Sequence, residues 1–399
     1  MKTNPNVIAH FDRAINYLLI LFGLTATVSI SLSEIGFFGA FFVWLMKLAY
    51  TQKLDLKRTP ADIPLAIFTV LTLIAVFIGL EGSNEIRNRL KPLSLMLMFP
   101  LIVNTVKDRK TASKLLLCLL FSVLVQSVII IFKGLTTKDL SMGIGVGGTM
   151  SVTLTAGEML VTLLGTALCF LFMDKDRKVR AFAFAVFLLG VLALVFTLAR
   201  GAWIAFIAVL LVFAALRSKT MLVGVTLILV LVFSGSYYYK DTVFVKKLNS
   251  VFELEKGTTP QRFAMWRSGL RMVKDHPLGI GIDSVFRKYK EYREPAETNQ
   301  DRGHLHNNYL QLAVERGVLA LLTFLWFLYV VLKTAYLNYL KNTNNKIKAL
   351  FLSSFLALLA FLVTGVFEYG LGSAIYAPIF WFFAALAVIM PVIPNGKEL

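Results

Sequence analysis

The sequence predicts an all-α, polytopic membrane protein with about twelve transmembrane helices and one large polar loop between them. Three observations carry this. Of the 399 residues, 57% are hydrophobic and only 16% charged, where soluble domains average about 25% charged. Apolar runs approaching the roughly 20 residues that cross a bilayer as helix recur along the chain. One polar stretch, Ser234 to Asn308, interrupts them and holds three of the four histidines, His276, His304 and His306. It is assigned as a loop over 235–309, inserted in a single membrane domain over 1–399.

The expected spans lie at 14–31, 35–50, 64–80, 92–106, 114–132, 151–172, 180–199, 201–216, 222–234, 310–333, 347–366 and 374–390. Met1 to Arg13 is polar and the run after it lacks a convincing cleavage site, so a retained first helix is expected. The break at Arg200-Gly201 is too tight for an ordinary loop and predicts a hairpin at the membrane face. Cys118 and Cys169 both lie inside apolar runs, as buried thiols do.

The net charge of +18 would suit a nucleic-acid partner, but its distribution excludes one. Lys and Arg gather in alternate short loops: Lys53, Lys57 and Arg58; Lys107, Arg109, Lys110 and Lys114; Lys175, Arg177, Lys178 and Arg180; Arg217 and Lys219; Lys333, Lys341, Lys346 and Lys348. With twelve spans all these loops share one side with both termini, and the positive-inside rule makes that side cytoplasmic. The polar loop then faces outward, into a periplasm.

Within the loop, Thr259-Pro260 is a helix start, with a capping hydroxyl followed by Pro at the first helical position. At about 100° per residue, Phe263, Trp266, Leu270 and Val273 share an apolar face. Arg267, Arg271 and Lys274 form a basic stripe beside it. Arg262 lies apart from that stripe, at the far edge of the apolar face. If that face packs down on the membrane domain, Arg262 is held against it. The helix ends in His276-Pro-Leu-Gly-Ile-Gly, with His276 structural or solvated.

Among candidate site residues, His304 and His306 form a His-x-His pair, but only Asp301 lies at short ligand spacing, so no metal site is assigned. A neutral imidazole at the membrane face suits general-base work. Arg200 sits on the outward end of its span, against the positive-inside rule. It either snorkels to headgroups or clamps an anion. Gly143-Ile-Gly-Val-Gly-Gly148 fits GxGxxG but lacks a βαβ frame, and as an outward loop it lines a cavity at most. Asp174-Lys-Asp176 fits the DxD of metal-dependent sugar transferases yet falls among cytoplasmic cations, and reads as loop polarity. Glu158 lies inside a span, where a carboxyl needs a partner or a cavity.

Taken in order, these residues resemble the bacterial O-antigen ligase and O-antigen polymerase superfamily. Thr197-Leu-Ala-Arg200-Gly is similar to its Arg-bearing span end. Gln261-Arg262-Phe-Ala-Met-Trp266 and Asp275-His-Pro-Leu-Gly-Ile-Gly are similar to its loop helix and exit. His306-Asn-Asn-Tyr-Leu with Glu315-Arg-Gly317 is similar to the ligases' histidine segment. The resemblance implies a GT-C-type fold and metal-independent, inverting glycosyl transfer without a cofactor. The donor would be a glycan on undecaprenyl diphosphate, the acceptor a sugar hydroxyl of lipid A core, in the inner membrane. Arg200 and Arg262 would hold the diphosphate and His306 would take the acceptor proton, with His304 the alternative. Arg87, Arg89 and Lys91, on the same outer side, are further candidates for attracting anionic lipid, beyond the reach of the resemblance. The motifs leave a polymerase open. A flippase would carry polar residues through its spans and a two-fold repeat, and neither is found. A metal-dependent oligosaccharyltransferase would call on outward acids such as Glu34, Glu81 or Glu85.

Overall fold

The computed structural model describes residues 4–54, 56–149, 152–238, 245, 259–294 and 303–389. Among them every regular element is a helix. Among the described residues eight helices are long and apolar enough to cross a membrane, and three shorter apolar ones accompany them.

Helices α1 (Pro5–Thr25) and α2 (Ile30–Thr51) form a hairpin, started by Asn4 and Ser29 whose side chains accept the free amides of their first turns. Helix α3 (Asp62–Phe77) follows. The span expected at 92–106 is instead two short helices, α4 (Ile86–Met96) and α5 (Met98–Thr105), meeting at Leu97. Pro92 lies inside α4, and removing its amide weakens that helix as a continuous rod. Helices α6 (Arg109–Thr136), α7 (Thr153–Met173), α8 (Arg177–Phe196), α9 (Arg200–Arg217) and α10 (Lys219–Tyr238) complete the first half.

Then come α11 (Thr259–Asp275), which begins at the predicted Thr259, and α12 (Val285–Tyr292). The span expected at 310–333 is also two helices, α13 (Asn308–Arg316) and α14 (Val318–Lys341). Gly317, at φ 88°, turns the chain between them. Helices α15 (Asn345–Thr364) and α16 (Tyr376–Ile389) end the described chain.

Helix α7 is the central pillar, with 89% of its apolar window buried, packed between α8, α9 and α15. Small residues let these helices approach closely. A Cβ on Gly165 of α7 would stand 3.0 Å from Leu356 Cβ of α15. Such small-residue seams serve bundles in lipid, where packing and not water exclusion holds helices together.

The basic loops gather at one end. Asp12 at the start of α1 pairs with Lys47 and Lys107, Arg217 donates to Phe172 O, and Tyr339 OH donates to Leu216 O. Asp174 and Asp176, the DxD pair, accept backbone amides of Asp176 and Lys178 and so start α8. They are turn and cap residues, as loop polarity requires. Glu158 lies near the opposite end of α7 from Phe172.

Candidate active site at the outer end of the bundle

The turn between α8 and α9 comes one position before the expected break. It spans 197–199, and Arg200 is the first residue of α9. Leu198 sits at φ 51°, a costly conformation for a side chain branched beyond Cβ. The loop through Gly143–Gly148 holds this turn. Val146 N donates to Phe196 O, and a Cβ on Gly145 would fall 1.9 Å from Thr197 O. Gly145 serves close packing against the turn and also lines the cavity described below.

Helix α11 does not pack as its hydrophobic wheel suggested. Phe263 and Leu270 are exposed, while Met265, Ser268 and Met272 are buried. The reason is a small second core: Met265 and Met272 meet Ile280, Val285, Tyr289, Leu305 and Val314. Arg262 nevertheless ends beside the membrane domain. Arg267 forms two bonds to Glu294 and Arg271 joins the same carboxylate, so the basic stripe acts as a surface clasp. The ring of His276 rests near Tyr292, 6.4 Å away, outside the site.

The His304-Leu-His306-Asn-Asn-Tyr segment is fixed at nearly every residue. Trp266 Nε1 donates to Leu305 O, tying it to α11, and Leu305 N donates to Gln311 Oε1. The Asn307 side chain accepts from Tyr309 N and Leu310 N as the N-cap of α13. Asn308 N donates to Gly365 O, and Asn308 Oδ1 accepts from Leu371 N. Tyr309 OH donates to Leu362 O. These bonds clamp the segment to the turn after α15. His306 itself is held at φ 46°. Among the described residues, Leu198, His306 and Asp283 are three of the four non-glycine residues with positive φ, beside Gln52 at the end of α2. All three line cavities at this end, and strain concentrates where surrounding structure over-determines it for function.

The turn after α15 brings Glu368 to both histidines. His304 Nε2 lies 3.0 Å from its Oε1 and His306 Nδ1 2.8 Å from its Oε2. Burial alone would raise this carboxyl. The hydrogen bonds and charge of the two rings overcome that and hold it well below the usual carboxylate range. An ionised carboxylate only accepts, so His306 donates from Nδ1, and in the neutral ring this leaves Nε2 as an acceptor. The three groups lie within 4.8 Å of one another and could also hold a metal ion. Two imidazoles and a carboxylate are a donor set that zinc accepts. Glu368 is the acid that the expectation of no metal site lacked.

A cavity of about 310 Å³ opens beside this pair. Arg200, Arg262, His306, Glu368, Glu158 and Gln261 all line it, so the three principal predicted residues converge. Glu158 is 2% exposed and neither of its carboxyl oxygens has a hydrogen-bond partner among the described residues. His304 lines a second, adjacent cavity, as does Lys91.

The remaining predicted residues are placed otherwise. Arg87 is exposed on α4 and lines neither cavity. Arg89 is fully buried and faces no cavity. It donates to Val76 O, Ile78 O, Gly79 O, Glu85 and Ser284 Oγ, fastening α3, α4 and the segment before α12 together. The socket engages both terminal nitrogens of the guanidinium, and its role is architectural.

Residues 185–325 match the family model described as O-Antigen ligase. The chain carries an O-antigen ligase family domain. That domain contains Arg200, Arg262, His304 and His306, whereas Glu158 and Glu368 fall outside it. The chain is also 25% identical over 372 residues to an uncharacterized protein of Haemophilus influenzae, covering 84% of this chain and 87% of that one. The apolar helices and the matched segment are those of a multi-pass membrane protein.

Proposed function

We propose that the protein is an O-antigen ligase, transferring a glycan from undecaprenyl diphosphate to a sugar hydroxyl of lipid A core by a metal-independent, inverting step. The observation that carries this reading is the convergence of Arg200, Arg262 and His306 on one cavity. In the step, the acceptor O–H gives its proton to His306 Nε2 while its oxygen attacks the anomeric carbon. The bond from that carbon to the diphosphate breaks, and its electron pair stays on the leaving oxygen. Arg200 and Arg262 meet that charge with planar, permanently charged forks. Arg200 opens α9, where the helix dipole already favours an anion and disfavours a lone cation. Glu368 fixes the His306 tautomer and stabilises the imidazolium as it forms, a positioning role.

Twelve spans, with α4–α5 and α13–α14 as the broken ones, agree with the basic loops collecting at the end remote from the cavity. Both termini are then cytoplasmic and the site periplasmic. A GT-C-type enzyme in the inner membrane fits this arrangement.

A metal-assisted reading is favoured by the spacing of His304, His306 and Glu368, and a polymerase remains the rival acceptor choice. Purified protein, undecaprenyl-diphosphate glycan and lipid A core, assayed with chelator and no nucleotide, separates them. Transfer to lipid A core supports the ligase. Lengthening of the lipid-linked glycan indicates a polymerase, and loss on chelation a metal enzyme.

A further inference from the structure

His306, Glu368 and Leu154 form a wall shared by two cavities. The second, of about 600 Å³, lies against Asn88, Thr155, Asp283, Tyr369 and Ser373. We propose that this second cavity is the acceptor subsite, that it takes a carbohydrate, and that Asp283 binds its hydroxyls. This rests on the transfer reading above.

Charge separates the two cavities. The first presents Arg200 and Arg262 against the acids Glu158 and Glu368. The second presents Asp283, Glu315 and Glu368 against one lysine, Lys91, and two histidines among the described residues, so a diphosphate, which needs the arginine forks, belongs in the first. A carboxylate, an amide and three hydroxyl side chains, set beside short apolar surfaces such as Pro92 and Ile282, are the few placed polar groups that fix a polyhydroxylated ring. Among the described residues that line this cavity there is no arginine.

Asp283 is built for the task. It is exposed to the cavity, stands at φ 59°, and its carboxylate makes no hydrogen bond among the described residues. Its backbone N–H donates to Glu315 Oε1. Glu315 is buried and held in turn by Gln311 Nε2 and Tyr369 OH, while Gln311 Oε1 takes Leu305 N. One chain of bonds therefore fixes Asp283 relative to the histidine segment. An acceptor sugar held by Asp283 would meet His306 in the shared wall and the donor beyond it.

The test varies acceptor and donor separately in Asp283→Asn and Asn88→Ala proteins. Asn tolerates positive φ, so the first substitution keeps the backbone. The KM for lipid A core should rise about tenfold or more, while the KM for the undecaprenyl-diphosphate glycan stays within about twofold. Direct binding of delipidated core oligosaccharide should weaken in parallel, and Arg262→Ala should leave that binding unchanged. A rise in the donor KM alone, or no change in either, overturns the assignment. If the wild type transfers nothing to lipid A core, the transfer reading fails on its own. The subsite is then supported by oligosaccharide binding that Asp283→Asn weakens, and overturned if the wild type binds none.

Discussion

His306 and Glu368 stand 62 residues apart in the chain and 2.8 Å apart in space, Nδ1 to Oε2. The histidine can act as a base through Nε2 only while this bond fixes the proton on Nδ1. Replacing Glu368 by Gln allows the amide to donate instead, favouring the opposite tautomer. A fall in turnover of about 10²–10⁴ is expected, with little change in donor KM. Steady-state kinetics of Glu368→Gln and Glu368→Asp check this. Unchanged turnover in Gln would remove the positioning role.

The same pair sets a pH dependence. The Glu368 carboxyl is held below its ordinary value of 4.5. Its contribution to stability is therefore complete above that value and lost only as pH falls through the lower folded one. Across pH 5–8 the Glu368 carboxylate stays ionised, so its own protonation contributes nothing to a fall in rate on acidification. A pH–rate profile with chemistry rate-limiting should show one acid limb, and Glu368→Gln should shift it. A flat profile contradicts a histidine base.

Arg200 and Arg262 act on charge that grows as the diphosphate leaves. Arg200→Ala or Arg262→Ala should each lower turnover about 10²–10³. Lys substitutions should recover only part, since an ammonium lacks the planar fork. Full recovery by Lys would reduce both residues to general positive charge.

Neither carboxyl oxygen of Glu158 makes a hydrogen bond of ordinary length among the described residues. Glu158→Gln keeps its volume, so thermal unfolding of the protein in detergent should not move down, whereas turnover should fall if the carboxyl touches substrate in the cavity it lines. A lower Tm with unchanged turnover would make it a packing residue.

Arg89 is the opposite case. Truncation to Ala leaves several buried carbonyls without donors and should cost about 3–5 kcal/mol of stability. Gly281→Ala should do comparable damage, because its Cβ would fall 2.0 Å from Ile78 O at φ 95°. Thermal melts of both variants check this; a stable Arg89→Ala protein with a raised donor KM would return Arg89 to the substrate site.

How far the sequence reached depends on the range of the interactions involved. Arg200, Arg262 and His306 were legible because each breaks a local expectation: a cation at an outward span end, an arginine off the basic stripe, a histidine at a membrane face. Glu368 was not, because nothing in Val366-Phe-Glu-Tyr says that Asn308 will pull that turn against the histidines. Its one signal was that it is a lone acid between the last two apolar runs. Arg89 looked like its neighbours Arg87 and Lys91 because a charge in sequence carries no direction; only the helix α4 sorts buried from exposed. The face of α11 was misjudged because Phe263 and Leu270 outrank Met265 and Met272 in hydropathy, while contact with Leu305 and Val314 selects the methionines. The break at Gly317 was hidden by apolar residues running through it.

The most direct test of the central claim is the transfer assay with purified wild type, His306→Ala and Arg262→Ala proteins, in chelator and without nucleotide. The account predicts glycan transferred to lipid A core by the wild type and lost from both variants. Variants that transfer as well as the wild type would contradict it, whatever the topology.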